Sequence, residues 1–186
     1  ITIDINLESE DTLMSKIAFV FPGQGSQYVG MCKAFYDQYP VARQLFEEAD
    51  DALGFSLTKL CFEGPEAELR LTYNTQPAIL TASTICAEIL KQHGAVADIA
   101  AGHSLGEYSA LVNAGAMKFA DAVRIVRQRG QFMQEAVPVG EGSMSAVMGL
   151  ANETIVELCQ KVEAETGLPV QAVNFNCPGQ VVIAGA

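Results

Sequence analysis

The chain has 186 residues, of which 49% are hydrophobic and 18% charged, so it is long enough and apolar enough to fold around a real hydrophobic core. Its formal net charge of −11 disfavours nucleic acid as the main partner, because phosphate binding needs a basic face. The sequence contains no run of about 18 apolar residues, which argues against a membrane span.

The five cysteines are odd in number, widely spaced and without a Cys-x-x-Cys pair. This pattern predicts reduced thiols in a cytoplasmic protein, each a small core residue rather than a metal ligand. They are Cys32, Cys61, Cys86, Cys159 and Cys177.

The first residues, ITIDINLESEDTL, are acidic and lack both the positive start and the apolar core of a signal peptide. Met14 precedes a clean apolar strand pattern, so we expect the natural start there. Residues 1–13 are then an upstream extension or an expression remnant, and they are left out of the fold prediction.

Apolar runs and helix-capping residues predict the elements of the first 140 residues. IAFVF at residues 17–21 is a continuous apolar run ended by Pro-Gly, which is typical of a buried parallel strand. Pro40 and Pro77 can each open a helix as its first residue. The predicted order is strand 17–21, helix from Ser26, helix 40–53, helix from Pro77 until Gly94, strand 96–101, helix from about Glu107 and helix 119–137. Strands separated by helices indicate an α/β fold with a parallel sheet.

The pattern changes after Gly142. The predicted elements there are strand 143–150, helix 152–166 with Asn152 as a possible cap, strand 170–175 and strand 181–184. This β-α-β-β order is four of the six elements of the ferredoxin-like module. We therefore expect a large subdomain over residues 14–140 and a partial ferredoxin-like subdomain over residues 141–186.

Gly102-His103-Ser104-Leu105-Gly106 matches the Gly-x-Ser-x-Gly pattern of a nucleophile elbow, placed between a predicted strand and a predicted helix. The N–H of Leu105, at the start of the helix, would point where an oxyanion forms, and the helix dipole would add to it. A tight strand–helix turn in which Ser104 merely caps the helix is the alternative.

Neither of the two histidines is a good candidate for the base. Adjacent side chains diverge in a tight turn, so His103 is better interpreted as hydrogen-bonded support of the elbow. His93 lies at the end of a predicted helix, where a cation suits the helix dipole.

The loop FPGQGSQ at residues 21–27 lacks the third glycine of the dinucleotide-binding fingerprint and the Gly-Lys-Ser/Thr of a P-loop. In a parallel sheet this loop opens at the carboxyl edge of the strands, so it could face the serine turn. Gln24 or its neighbouring amides could then supply a second oxyanion donor. A simple helix-entry turn is an equal alternative.

Arg129 lies on the apolar stripe of the predicted helix 119–137, whereas Arg124 and Arg127 are interpreted as one solvated face. A charge on an apolar stripe needs a partner, either an internal carboxylate or an anionic ligand. Gly130 beside it would allow another backbone or a ligand to come near. A guanidinium fork fits a carboxylate bidentately.

Five segments occur in the order FVFPGQGSQ, TQPAILTAS, GHSLGEYSAL, RQRGQFMQEAV and NFNCPGQVVIAG. In this order and spacing the chain closely resembles the malonyl-CoA:acyl carrier protein transacylases, over about residues 16–185. Acyltransferase domains of polyketide and fatty-acid synthases share part of the pattern. The resemblance implies an α/β-hydrolase-like large subdomain with a ferredoxin-like insert, in agreement with the predicted elements.

The resemblance also implies roles for individual residues. Ser104 would be the acyl-accepting nucleophile, and Gln24 with the amide of Leu105 would form the oxyanion hole. Arg129 would grip the free carboxylate of the malonyl group. The residues that would wall and border this pocket are Met133 and Asn174.

The implied mechanism is ping-pong, from malonyl-CoA to the serine and from the serine to the phosphopantetheine thiol of acyl carrier protein. It needs no metal and no cofactor. In the family the catalytic histidine and a second glutamine-bearing loop come after the insert, beyond residue 186. We therefore expect a piece of a longer protein, completed by the rest of the same polypeptide or a second chain. Alone it should be nearly inactive, and full turnover of malonyl-CoA by a chain ending at Ala186 would contradict this expectation.

Two other function classes stay open. One is a serine hydrolase, such as a thioesterase or a patatin-like lipase, although the Asp-Gly pair of patatin-like enzymes does not occur in the sequence. The other is a non-catalytic fragment that binds a carrier protein.

Overall fold

The computed structural model of the chain describes residues 2–5, 16–137 and 140–186. It divides into two compact units, the first ending at Gln134 and the second running from Glu135 to Ala186. Within the described residues, no helix is both long and apolar enough to cross a membrane. The predicted start at Met14 lies outside the described residues.

The first unit is a mixed α/β structure. Its elements in chain order are β1 (Thr2–Ile5), β2 (Lys16–Phe21), α1 (Lys33–Gln38), α2 (Pro40–Leu53), α3 (Leu57–Glu63), α4 (Glu66–Leu69), α5 (Thr72–Gln92), β3 (Ile99–Gly102), α6 (Leu105–Asn113) and α7 (Phe119–Ala136). The limits of α2 are those predicted from Pro40 at its first turn and from Gly54, which ends it with a φ of 72°.

The sheet of this unit has the order β1-β2-β3. β2 and β3 are parallel, as predicted, with Phe21 opposite Gly102, and β1 is antiparallel to β2. β1 comes from the segment left out of the fold prediction. Because β2 and β3 end side by side, the loop after Phe21 and the turn after Gly102 begin at the same edge of the sheet.

Helix α5 forms the centre of the core, and most of its residues are buried. Its partners include Phe46 of α2, Leu105 of α6 and Val123 of α7, all of which are buried. Large apolar side chains removed from water are the main source of stability for such a unit.

Three predicted helix starts were wrong. No helix begins at Ser26, because Gly25 and Gly30 take positive φ angles of 109° and 96° and the first helix starts only at Lys33. Pro77 lies inside α5, one turn after the helix has started at Thr72. The helix after the serine turn begins at Leu105, two residues earlier than predicted.

The second unit contains β4 (Ser143–Met148), α8 (Asn152–Thr166), β5 (Val170–Cys177) and β6 (Gln180–Gly185). Its sheet is antiparallel with the order β4-β6-β5, which confirms the predicted β-α-β-β arrangement. Ile155 and Cys159 of α8 pack on Val181 of β6. Asn152 does not cap the helix, since Ala151 occupies the N-cap position.

Candidate active site

Ser104 lies between β3 and α6 in a backbone conformation that is rare for a residue with a side chain. Its φ is 53° and its ψ is −103°, and it is exposed. Such strain costs about 1–3 kcal/mol and is typical of functional sites. The turn is closed by a hydrogen bond of 2.9 Å from the Gly106 N–H to the His103 carbonyl. This geometry is that of a nucleophile elbow and not of a capping serine, since the Ser104 side chain makes no capping hydrogen bond to α6.

The glycines on either side of Ser104 are required by close backbone contacts. A Cβ at Gly102 would lie 1.9 Å from the Gly106 carbonyl carbon. A Cβ at Gly106 would lie 2.2 Å from the carbonyl oxygen of Phe21. The Gly-x-Ser-x-Gly pattern therefore encodes both the tightness of the turn and its contact with the end of β2.

The loop after β2 lies against the elbow, as the parallel pairing predicts. The His103 N–H donates to the Phe21 carbonyl at 3.1 Å, and a Cβ at Gly23 would lie 2.8 Å from His103 Nδ1. Gln24 is exposed in this loop and donates through Nε2 to Thr72 Oγ1 at 3.4 Å. The hypothesis that loop and elbow meet is thus confirmed, while Gln24 as an oxyanion donor stays a prediction.

Leu105 is the first residue of α6 and is almost fully buried. Its N–H is among the four at a helix start that the helix leaves without an internal acceptor. The positive end of the helix dipole acts at the same place. A developing negative charge next to Ser104 would be stabilised there, and the oxyanion role of this amide stays a prediction.

Arg129 of α7 brings a cation to the serine. Its Nη2 donates to Ser104 Oγ at 3.0 Å, and its Nη1 donates to Gln76 Oε1 at 2.9 Å. The guanidinium lies 5.7 Å from the ring centre of Tyr108. In the part of the chain that the structure describes, no carboxylate pairs with Arg129, so its charge is available for an anionic ligand.

Gln76 is a site residue that the sequence analysis missed. It is 1% exposed, its carbonyl oxygen accepts from Arg129, and its amide contacts Met133 Sδ at 3.1 Å. It therefore fixes the guanidinium and touches the predicted pocket wall Met133. A buried glutamine needs hydrogen-bond partners for its amide. Its position in an otherwise apolar helix pattern was therefore the feature of the sequence that could have identified Gln76 as a site residue.

Gly130 explains how α7 reaches the start of α5. A Cβ at this position would lie 2.5 Å from Tyr73 Cα, so only glycine permits the approach. The prediction that Gly130 allows a second backbone to come near is confirmed.

The interpretation of Arg127 as a solvated residue was wrong. Its guanidinium lies 4.7 Å and 4.6 Å from the ring centres of Phe55 and Tyr73, and it donates to the Tyr73 carbonyl at 3.0 Å and to Asn74 Oδ1. That carbonyl is the one that Pro77, lacking an N–H, leaves without its helical donor. Burial lowers the pKa of Arg127, and the nearby Tyr73 opposes this effect. Arg124 is exposed as predicted and pairs with Asp121 at 3.1 Å.

The remaining predicted residues occupy other places. Asn174 lies in the second unit, exposed on β5 and paired in register with Val182, and its role as a pocket border stays a prediction. His93 ends α5, where its ring packs edge-on against Tyr39. Among the residues described, no three His, Cys, Asp or Glu side chains gather as a possible metal site.

Comparison with known proteins gives consistent matches. The acyl transferase domain family model matches residues 18–186. The malonyl CoA-acyl carrier protein transacylase of Bacillus subtilis (strain 168) is 57% identical over 172 residues, which cover 92% of this chain and 54% of the relative. The protein of the same name from Escherichia coli (strain K12) is 54% identical over 173 residues, covering 92% of this chain and 55% of the relative. The chain thus spans about half the length of these relatives.

Solved structures agree. The acyl-carrier-protein S-malonyltransferase of Burkholderia pseudomallei is 54% identical with a TM-score of 0.83, and the match covers 91% of this chain and 54% of that one. A malonyl-transacylase solved in complex with its type II PKS acyl-carrier protein is 51% identical with a TM-score of 0.84, covering 90% of this chain and 54% of that one. By its sequence, its fold and its serine elbow, this chain belongs to the acyl transferase domain family.

Proposed function

We propose that the chain takes part in transferring a malonyl group from malonyl-CoA to the phosphopantetheine thiol of acyl carrier protein, through a malonyl ester on Ser104. The observation that carries this proposal is the 3.0 Å contact between Arg129 Nη2 and Ser104 Oγ. A nucleophile beside a cation that has no acidic partner among the described residues suits an acyl group that ends in a free carboxylate. The names of the similar proteins support the same reaction.

In the first half-reaction, Ser104 Oγ attacks the thioester carbonyl, its proton passes to a general base, and the CoA thiol leaves. The carbonyl oxygen carries negative charge in the tetrahedral intermediate. The N–H of Leu105 and the dipole of α6 would stabilise that charge, with Gln24 as the second donor. In the second half-reaction the carrier thiol attacks the same carbonyl and releases Ser104.

The reach of Arg129 fits a malonyl group. In a malonyl ester the carboxylate carbon lies two carbon–carbon bonds from the ester carbonyl carbon, about 2.5 Å away. A guanidinium already within hydrogen-bond distance of the serine oxygen can therefore meet that carboxylate after a small shift. Gln76 holds the other nitrogen of the fork and limits its rotation.

The test is acylation of Ser104. The chain, together with the rest of the polypeptide or the second chain that we expect to complete it, is incubated with radiolabelled malonyl-CoA or acetyl-CoA and digested, and the labelled peptide is identified, with Ser104→Ala as the blank. We expect malonyl label on Ser104 and its transfer to holo acyl carrier protein on addition of the carrier. Label that persists in Ser104→Ala, or equal labelling from both thioesters, would refute the proposal. Loss of the label to water alone, with none on the carrier, would indicate a hydrolase instead.

A further inference from the structure

The Arg129 guanidinium is contacted by uncharged groups from three parts of the first unit. Gln76 Oε1 of α5 accepts from Nη1 at 2.9 Å, and Ser104 Oγ of the elbow accepts from Nη2 at 3.0 Å. The ring centre of Tyr108, on α6, lies 5.7 Å from the central carbon of the guanidinium. Among the described residues no carboxylate pairs with Arg129. These groups therefore hold the positive charge without neutralising it.

Tyr108 is placed for its contact by its position in α6. It comes four residues after Ser104, the N-cap residue of this helix, and residues four apart are neighbours on a helix surface. Its ring is partly buried and packs against the hydrophobic core that contains Leu105. A cation within about 6 Å of an aromatic ring centre is attracted by the electron density of the ring. The core thus holds the Tyr108 ring where it attracts the Arg129 guanidinium.

The ring contact differs from the two hydrogen bonds in what it leaves free. Nη2 has to turn away from Ser104 Oγ in order to bind the carboxylate of a malonyl group. The attraction to the Tyr108 ring uses none of the five N–H donors of the guanidinium, so it can persist while the hydrogen bonds are exchanged. A carboxylate side chain in the place of the ring would compete with the malonyl carboxylate for the same donors. An aromatic ring holds the cation without this competition.

We propose that Tyr108 is a positioning residue for carboxylate recognition, whose ring keeps the Arg129 guanidinium beside Ser104 while the N–H groups turn to the malonyl carboxylate. Tyr108 acts through Arg129 and is not itself catalytic. The effect on malonyl transfer rests on the proposed function, whereas the contact between ring and guanidinium does not.

The expected effect on acylation is modest. Loss of the ring should lower the malonyl-to-acetyl ratio of Ser104 acylation by about two- to fivefold, which corresponds to about 0.5–1 kcal/mol. This is the range for contacts that solvent partly screens, and both Arg129 and Tyr108 are only half-buried. The acetyl group has no carboxylate, so its transfer should be nearly unchanged.

The first measurement compares variants with and without the ring. The chain, together with the rest of the polypeptide or the second chain that we expect to complete it, is acylated in a single turnover from malonyl-CoA and from acetyl-CoA. Tyr108→Leu and Tyr108→Met remove the ring and keep an apolar side chain, and both should show the lower ratio. Tyr108→Phe is the matched control, because it keeps the ring and should keep the ratio within about 1.5-fold.

A double variant separates positioning from a general structural role. In the Arg129→Ala background the ring has no guanidinium to hold. Tyr108→Leu should therefore change the malonyl-to-acetyl ratio by less than about 1.5-fold there. A loss of the same size in both backgrounds would show that the ring acts through something other than Arg129.

The second measurement follows the guanidinium itself and needs no acyl group. Phenylglyoxal modifies accessible arginine side chains, and the modified sites are located by mass spectrometry after digestion at residues other than arginine. The exposed Arg124 of the same helix serves as the internal reference. In Tyr108→Leu and Tyr108→Met the modification of Arg129 relative to Arg124 should be about two- to fivefold faster, and in Tyr108→Phe it should be unchanged.

Several results would overturn the positioning role. They are an equal loss of malonylation and acetylation in the ring-free variants, a loss in Tyr108→Phe as large as in Tyr108→Leu, or an unchanged modification rate of Arg129 in both ring-free variants. Failure of the proposed function looks different, since the unaltered protein would then take no malonyl label on Ser104. The phenylglyoxal rates would still decide whether the ring holds the guanidinium.

Discussion

Replacement of Arg129 by alanine should remove the preference for malonyl over acetyl groups. The guanidinium donates one hydrogen bond to Ser104 Oγ at 3.0 Å and one to Gln76 Oε1 at 2.9 Å. With a malonyl group bound, at least one nitrogen would turn to the carboxylate. An acetyl group has no carboxylate, so its transfer should be little affected.

The size of the effect follows from the bonds exchanged. Up to two hydrogen bonds to the carboxylate contribute about 1.5–3 kcal/mol each, and the bonds to Ser104 and Gln76 that they replace, in which only the donor is charged, are taken as about 1 kcal/mol each. Because Arg129 is only half-buried, solvent screening reduces the difference. We expect a net loss of about 1–3 kcal/mol, which corresponds to roughly 5- to 160-fold in the rate of malonylation. Acetylation should change by less than about threefold.

The assay is single-turnover acylation of Ser104 from each thioester, followed by intact-protein mass spectrometry. The quantity of interest is the malonyl-to-acetyl ratio in one protein sample, so the absolute rate cancels. Arg124→Ala is the matched control, since Arg124 lies on the same helix, is exposed and pairs with Asp121 at the surface. An equal loss of both acylations in Arg129→Ala would refute the carboxylate-binding role and would leave only a structural one.

Three further predictions concern the surroundings of the site. Gln76→Leu keeps a side chain of similar volume but removes the oxygen that accepts a hydrogen bond from the Arg129 guanidinium, so the rate of malonylation should fall about tenfold while the rate of acetylation is retained. Equal malonylation rates for the variant and the parent would contradict this. Gly106→Ala places a methyl group 2.2 Å from the Phe21 carbonyl oxygen, and we expect at least about 2 kcal/mol less stability in urea denaturation; an unchanged midpoint would argue against the close packing of the elbow. Arg127→Ala should lower the free energy of unfolding by about 1–3 kcal/mol, because a backbone carbonyl loses its donor, whereas Arg124→Ala should stay within about 0.5 kcal/mol; similar effects of both would show that Arg127 is solvated after all.

The elbow was predictable because its requirements are local. Ser104 needs a left-handed turn between a strand and a helix, and Gly102 and Gly106 permit the close backbone contacts of that turn. The hydrophobic run of β2 likewise predicts a buried parallel strand. Together these two features predict that the loop after β2 contacts the serine elbow after β3, because neighbouring parallel strands end at the same edge of a sheet.

The errors have a common cause. Pro77 predicted a helix start, and Arg127 was interpreted as solvated from its spacing to Arg124. In the structure these two features explain each other, because Arg127 supplies the hydrogen bond that Pro77 cannot give to the Tyr73 carbonyl. Neither residue reveals this alone, since the contact joins α5 and α7 across 54 positions.

The sequence alone therefore determined the types of the longer elements, the serine turn, the β-α-β-β order and the need of Arg129 for a partner. These features depend on hydrophobic periodicity, on glycine positions and on a charge among apolar residues, all of which act within a few residues of the chain. Only the tertiary structure decided which distant polar groups meet. Arg129 finds Gln76 and Ser104, and Arg127 finds the Tyr73 carbonyl and Asn74. Such pairs depend on where two helices approach most closely. The point of closest approach between two helices is set by the packing of the whole core. It cannot be inferred from the pattern of neighbouring residues in the sequence.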